Sequence, residues 1–258
     1  MTPSAPAGRE LLAGKVAVVT AAAGTGIGSA AARRCLEEGA RVVVSDWHER
    51  RLAETAAALT ADFGDAVHAI ACDVTDEAQV QALVAGAAEH FGRLDVMVNN
   101  AGLGGTASVL EMTDDEWARV LDVTLNGTFR CTRAALRRLV EQGGGGAVVN
   151  NASVVGWRAQ EGQAHYAAAK AGVMALTRCA AKDVAAHGIR VNAVAPSLAA
   201  HPFLAKVTSA ELLSELTTRE AFGRAAEPWE VATVIAFLAS DYASYLTGEV
   251  IAVSSQHP

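Results

Sequence analysis

Seven short runs rich in β-branched residues recur along the chain, separated by longer Ala-rich stretches whose apolar positions fall three and four apart. The runs, at residues 15–20, 41–45, 67–72, 94–98, 147–152, 189–195 and 249–253, are continuously apolar rather than alternating. Strands buried on both faces of a parallel sheet have that character. The intervening stretches predict helices over 27–38, 50–61, 77–91, 114–140, 166–187, 209–219 and 228–240. Regular strand–helix alternation without a linker predicts one α/β domain, a doubly wound parallel sheet of seven strands flanked by helices. The boundaries expected are a flexible N-terminal tail over 1–12 and the domain over 13–258. The Gly143–Gly146 run reads as the turn after a long helix.

With 258 residues, folding can bury roughly 70% of the surface that the unfolded chain exposes. A composition 51% hydrophobic and 19% charged excludes a disordered chain. The net charge of −7 has the wrong sign for a protein that neutralises phosphates, so nucleic acid is not an expected partner. Cys35, Cys72, Cys131 and Cys179 lie far apart with no CxxC pair, which predicts buried free thiols in a reducing, cytoplasmic setting and no metal site. No basic, apolar leader opens the chain. The longest uncharged stretch carries too many glycines and hydroxyls for a membrane span.

The first run ends in Thr20-Ala21-Ala22-Ala23-Gly24-Thr25-Gly26-Ile27-Gly28, followed at once by a helix. Glycines there let the backbone approach a pyrophosphate, which the free N–H groups and dipole of a helix N-terminus favour. The spacing is not GxGxxG, because position 29 is Ser. Asp46 closes the second run, where a carboxylate can accept from adenosine ribose hydroxyls, and Asp73-Val74 follows the third.

Asn99-Asn100-Ala101-Gly102 follows the fourth run, Asn150-Asn151-Ala152-Ser153 the fifth, and Tyr166-Ala167-Ala168-Ala169-Lys170 comes next. Tyr and Lys four apart share one helix face. Taken together, from residue 15 to about 253, this order resembles the short-chain dehydrogenase/reductase family. The resemblance implies a Rossmann-type fold and an NAD-dependent oxidoreductase interconverting a secondary alcohol and a ketone. Tyr166 would be the acid/base, Ser153 would hold the substrate oxygen, and Lys170 would support the phenol and the nicotinamide ribose. Gly24, Gly26, Ile27, Gly28, Asp46, Asp73, Val74, Asn100, Ala101, Gly102, Pro196 and His201 would line the dinucleotide site with Tyr166 and Lys170. Asp46 favours NAD over NADP, with Arg50 and Arg51 as the counter-indication. One ammonium about 5 Å from the phenol supplies roughly 3 kcal/mol towards ionising it, and the oxidised nicotinamide adds its own charge, so no metal is needed.

The chain departs from the family in several places. Ala21 stands where the family has Gly, so Gly24 is expected to take over the special backbone angle. Thr124 occupies the usual Asn position in Asp122-Val123-Thr124-Leu125-Asn126-Gly127, and Asn126 cannot substitute for it unless the helix is distorted. Restoring Asn at 124 is expected to hold or raise turnover. His165 reads as a surface or interface residue. The helices over 114–140 and 166–187 resemble those that pair subunits in the family, implying a homotetramer. Leu103, Val154, Val155, Trp157, Leu198, Phe203 and Leu204 form an expected apolar wall suited to a bulky hydrophobic substrate. The segment from Ala195 to the Ser254-Ser255-Gln256-His257-Pro258 end resembles actinobacterial relatives that break down steroid ring fragments as coenzyme A thioesters, so the expected substrate is a fused-ring or acyl-CoA alcohol or ketone. The alternatives are a 3-oxoacyl thioester reductase of acyl-carrier-protein type and a dinucleotide-binding regulatory protein without chemistry.

Overall fold

A computed structural model describes residues 3–200 and 210–255. The seven strands are β1 (Val16–Val19), β2 (Arg41–Asp46), β3 (Val67–Ala71), β4 (Val96–Asn99), β5 (Gly146–Asn151), β6 (Ile189–Pro196) and β7 (Val250–Val253). They form one sheet in the order β3-β2-β1-β4-β5-β6-β7, and every pairing is parallel. In register, Val18 lies opposite Val43 on one side and Met97 on the other. All four β1 residues are buried, as continuous apolar strands require.

The helices are α1 (Ile27–Glu37), α2 (Glu49–Phe63), α3 (Glu77–Phe91), α4 (Asp114–Leu121), α5 (Gly127–Gln142), α6 (Ala164–Val184), α7 (Ala210–Thr218) and α8 (Pro228–Ala239). Alternate residues of β1 feed two different cores. Ala17 and Val19 join Ala31, Cys35, Val231 and Ile235 of α1 and α8, while Val16 and Val18 join Leu83, Cys131, Leu139 and Val184 of α3, α5 and α6. Strand order reverses between β1 and β4, which opens a crevice at the carboxyl ends of the central strands, the place where such sheets bind ligands.

Three expectations change. The single helix expected over 114–140 is interrupted by a π turn at Asp122–Asn126. Gly127 donates to the Asp122 carbonyl, the Thr128 hydroxyl caps the Thr124 carbonyl at 2.8 Å, and a Cβ on Gly127 would stand 2.7 Å from Val74. Cys35, Cys72 and Cys131 are buried, with burial pushing each thiol upward, but Cys179 on α6 is exposed. The segment expected as a flexible tail makes contacts of its own. Arg9 and Leu11 donate their amides to Glu38, Arg34 donates to the Pro6 carbonyl at 2.6 Å and pairs with Glu38, and Leu12 is fully buried.

Candidate active site

The crevice begins at the loop between β1 and α1. Gly24 adopts φ +91°, as expected, but Ala21 also sits in the left-handed region at φ +48°, so the special angle is not transferred but doubled. At Gly28 a Cβ would stand 2.1 Å from the Ala21 carbonyl oxygen and 2.4 Å from Asn100 Nδ2, so only glycine allows this approach. In front of Gly26 there is open space. Gly26 caps α1 without a side-chain hydrogen bond, and no acidic residue occupies the first turn. The orphan N–H groups around Ile27 and Gly28 therefore suit a pyrophosphate.

Asp46 ends β2 and is 6% exposed. His48 N donates to its Oδ1 at 2.9 Å and Ala23 N to its Oδ2 at 3.3 Å, which aims the carboxylate at the loop. Arg50 and Arg51 are exposed on the first turn of α2, with Arg50 3.9 Å from Glu54. Asp73 accepts from the amide and hydroxyl of Thr75, and Val74 beside it is buried.

Asn100 ties the loops together. Its Nδ2 donates to the Ala21 and Thr20 carbonyls at 3.1 and 3.3 Å, and its Oδ1 accepts from Asn151 Nδ2 at 2.9 Å. Thr20 Oγ1 accepts from the amides of Asn100 and Ala101. Gly102 lies against Lys170, with Nζ 3.4 Å from where its Cβ would be. Pro196 closes β6, and Ser197 N donates to the Val253 carbonyl at 3.2 Å. His201, Phe203, Leu204 and Gln256-His257-Pro258 lie outside the described residues.

Ser153, Tyr166 and Lys170 converge where β5 meets α6. Ser153 is 8% and Lys170 3% exposed, and Lys170 Nζ lies 5.5 Å from the centroid of the Tyr166 ring. Lys170 donates to the Asn151 carbonyl. Burial pushes the Tyr166 phenol up to about 12, with Ser153 beside it pulling the other way, and burial pushes Lys170 down to about 8. The expected near-neutral phenol is thus not a product of the side chains alone, since desolvation outweighs the Ser153 hydrogen bond. When bound, an oxidised nicotinamide adds a positive charge that favours the phenolate.

A family model described as enoyl-(acyl carrier protein) reductase matches residues 21–255. The chain is 66% identical to the (5R,7aS)-5-hydroxy-7a-methyl-1-oxo-2,3,5,6,7,7a-hexahydro-1H-indene-carboxyl-CoA reductase of Mycobacterium tuberculosis (strain ATCC 25618 / H37Rv), covering 100% of this chain and 98% of that protein. The chain belongs to the short-chain dehydrogenase/reductase family. A cis-4-hydroxycyclohexanecarboxylate dehydrogenase of Sinomonas cyclohexanicum is 45% identical over 95% of this chain and 96% of its own. The crystal structure of a short chain dehydrogenase from Mycobacterium smegmatis superposes with a TM-score of 0.89 at 58% identity, covering 100% of this chain and 99% of that one. This short-chain dehydrogenase/reductase is accordingly an oxidoreductase of a family that uses nicotinamide dinucleotides.

Two family departures are resolved by geometry. Thr124 is fully buried, and its hydroxyl both accepts from Leu103 N at 2.9 Å and donates to Leu103 O at 3.0 Å. It pins the loop after β4, so Thr124 has a local structural role of its own. The helix is indeed distorted at this point, yet Asn126 is exposed and donates to Asp122 Oδ1 at 3.1 Å, away from the site. His165 is 2% exposed, not a surface residue, and the loop glycine Gly105 lies against its ring, where a Cβ would stand 3.0 Å from Nε2.

Sequence reasoning assigned no role to Asn99, Asn150 or Asn151. Asn99 Nδ2 donates to Asn150 Oδ1 and Thr132 Oγ1, and Asn150 Nδ2 donates to Thr177 Oγ1, so a buried polar ladder stitches β4 and β5 to α5 and α6 beneath the site. Repeated Asn-Asn pairs at two strand ends were its visible signal. At the opposite end of the sheet, a polar cleft lined by Lys15, Arg93, Asp95, Arg190 and Asp241 consumes its own charges in Lys15–Asp241 and Arg93–Asp95 pairs at 2.7 and 2.6 Å. Among the described residues, no cluster of three His, Cys, Asp or Glu could hold a metal, and no helix is long and apolar enough to cross a membrane.

Proposed function

We propose that this protein interconverts a secondary alcohol and a ketone on a fused-ring substrate carried as a coenzyme A thioester, with NAD as its dinucleotide. The observation that carries the reading is the meeting of Ser153, Tyr166 and Lys170 after the carboxyl end of β5, at the same end of the sheet as the Gly24–Gly28 loop that follows β1. The dinucleotide, when bound, exchanges the hydride. Ser153 donates a hydrogen bond to the substrate oxygen, and Tyr166 gives that oxygen a proton in reduction or takes one in oxidation. The Lys170 ammonium stabilises the phenolate form and holds the ribose. Electrostatic stabilisation of the oxygen and one acid/base together account for catalysis without a metal.

Asp46 supports NAD, since its buried carboxylate would repel a 2′-phosphate. Gly24, Gly26, Ile27 and Gly28 would hold the pyrophosphate, Asp73, Val74, Asn100, Ala101 and Gly102 the adenosine side and the middle, and Pro196 the nicotinamide. The substrate class rests on the hydroxy-indene-carboxyl-CoA and hydroxycyclohexanecarboxylate relatives and on the partly exposed apolar residues Leu103, Val155, Trp157 and Leu198. Val154 is buried beneath them. Catalytic efficiency on a bicyclic hydroxyacyl-CoA and on a short linear 3-hydroxyacyl thioester tests the reading. Preference for the linear thioester would favour the 3-oxoacyl reductase alternative, and no turnover of either would favour the regulatory one.

A homotetramer in the cytoplasm completes the proposal. Trp117 on α4, Phe129 on α5, and Val109 and Leu110 before them are exposed apolar groups along the helices that would pair subunits. A monomer by light scattering at micromolar concentration would contradict it.

A further inference from the structure

Glu220 lies two residues past the end of α7 at Thr218, and at 4% exposed its carboxylate is buried. A buried carboxylate is a costly way to gain stability, since an apolar side chain of similar volume avoids the desolvation. What it does is hold two distant segments in fixed places. Its Oε1 accepts from Leu198 N at 3.4 Å and its Oε2 from Ser255 Oγ at 2.7 Å. The chain end is held to the same turn by its backbone as well, because Ala221 N donates to the Ser255 carbonyl at 3.0 Å. Leu198 is thereby fixed on both sides: its N–H goes to Glu220, and its carbonyl accepts from Ala226 N at 2.8 Å.

The place of Leu198 gives this clasp its use. β5 and β6 are neighbours with Asn151 opposite Val194, so Ser153 leaves β5 at about the level where Pro196 ends β6, and Leu198 follows two residues on. The Leu198 side chain is partly exposed there. Ser197 N donates to the Val253 carbonyl of β7, so the last strand and Ser255 beyond it frame the exit of β6. We propose that Glu220 and Ser255 are specificity-determining positioning residues: their hydrogen bond fixes Leu198 as the apolar wall beside Ser153 against which a ring substrate packs. The Ser254-Ser255 end of the chain is in this way part of the frame of the substrate site. This rests on the fused-ring reading above.

The test is steady-state kinetics of Glu220→Ala, Ser255→Ala, the double variant and Ser255→Thr on a bicyclic hydroxyacyl-CoA and on a short linear 3-hydroxyacyl thioester. In Glu220→Ala, KM for the bicyclic substrate should rise about fivefold or more, the equivalent of one lost hydrogen bond, with kcat and the KM of the linear thioester within about twofold. Ser255→Ala should raise it in the same direction and Ser255→Thr should restore it. The double variant should match Glu220→Ala, because without the carboxylate the hydroxyl has nothing to hold. An unchanged KM for the bicyclic substrate, an equal rise for both substrates, a loss confined to kcat, or additive effects in the double variant would overturn the assignment. Wild-type protein that prefers the linear thioester, or turns over neither, would overturn the fused-ring reading and this proposal with it. A wild-type preference for the bicyclic substrate with unaffected variants removes only the clasp. If Glu220→Ala does not fold, Ser255→Ala against Ser255→Thr is read by the same outcomes, since Ser255 is partly exposed near the chain end.

Discussion

Gly26 and Gly28 are two residues apart in the same loop, and the same substitution should do different things at each. A Cβ on Gly28 would lie 2.1 Å from the Ala21 carbonyl and 2.4 Å from Asn100 Nδ2, closer than real contacts allow. Neither neighbour can yield cheaply, since Ala21 is already left-handed and Asn100 is bonded on both sides of its amide. Overpacking of this kind costs about 1–3 kcal/mol. In a chain of this size each kcal/mol moves Tm by roughly 2–4 °C, so Gly28→Ala should lower Tm by about 5 °C. Gly26 has φ −88°, and a Cβ there meets nothing within 4 Å. Gly26→Ala should therefore cost less than about 1 kcal/mol, the price of a poorer N-cap. Its methyl would project into the space in front of the α1 amides, and NADH affinity should fall by at least about tenfold, the effect of losing one good anion contact. Thermal unfolding by circular dichroism, paired with NADH titration, separates the two. A Gly28→Ala protein with unchanged Tm, or a Gly26→Ala protein with unchanged NADH affinity, would refute the reasoning.

Tyr166→Phe should lower turnover by at least about 100-fold with little change in NADH affinity, because the ring remains and only the acid/base is lost; steady-state kinetics and NADH titration check this. Thr124→Val deletes both hydrogen bonds to Leu103 in a buried place and should destabilise by about 1–3 kcal/mol by urea denaturation, with a raised KM as the loop loosens. Lys170, held near 8 by burial against an ordinary value of 10.5, makes the folded state bind fewer protons than the unfolded one between those values. Its contribution is full above pH 10.5 and lost as pH falls through 8, so stability of the dinucleotide-free protein should rise by about 2 kcal/mol more between pH 8 and 10 than that of Lys170→Met, measured by urea denaturation at each pH.

The sheet was legible because burial on both faces leaves a run such as Val16–Val19 no polar position, and each of the seven runs falls within a residue or two of its observed strand. The convergence of Ser153, Tyr166 and Lys170 was legible because strand ends and helix spacing fix where such residues go. Other features depend on contacts that no local pattern encodes. His165 is buried, and part of its surroundings, Gly105, comes from a loop some sixty residues away in sequence. The tail is held by Glu38, a residue that local spacing assigns to an exposed helix end. Thr124 looked like a defect when compared position by position, and only the fold shows Leu103 across from its hydroxyl.

The π turn also keeps time for the helix that contains it. The buried residues Val120, Thr124, Thr128, Cys131, Ala135 and Leu139 form one stripe that takes five turns, yet they span one residue more than the eighteen or so that five α-helical turns contain. A straight α-helix through this segment would fall out of phase by about 100° and roll half its stripe away from the sheet. The wide turn absorbs that slip at the point where Thr124 grips Leu103. A one-residue deletion anywhere else in α4 or α5 leaves the two halves facing different ways, while one inside the turn restores a regular helix and releases the loop. The length of this helix is thereby as tightly specified as any side chain in the site.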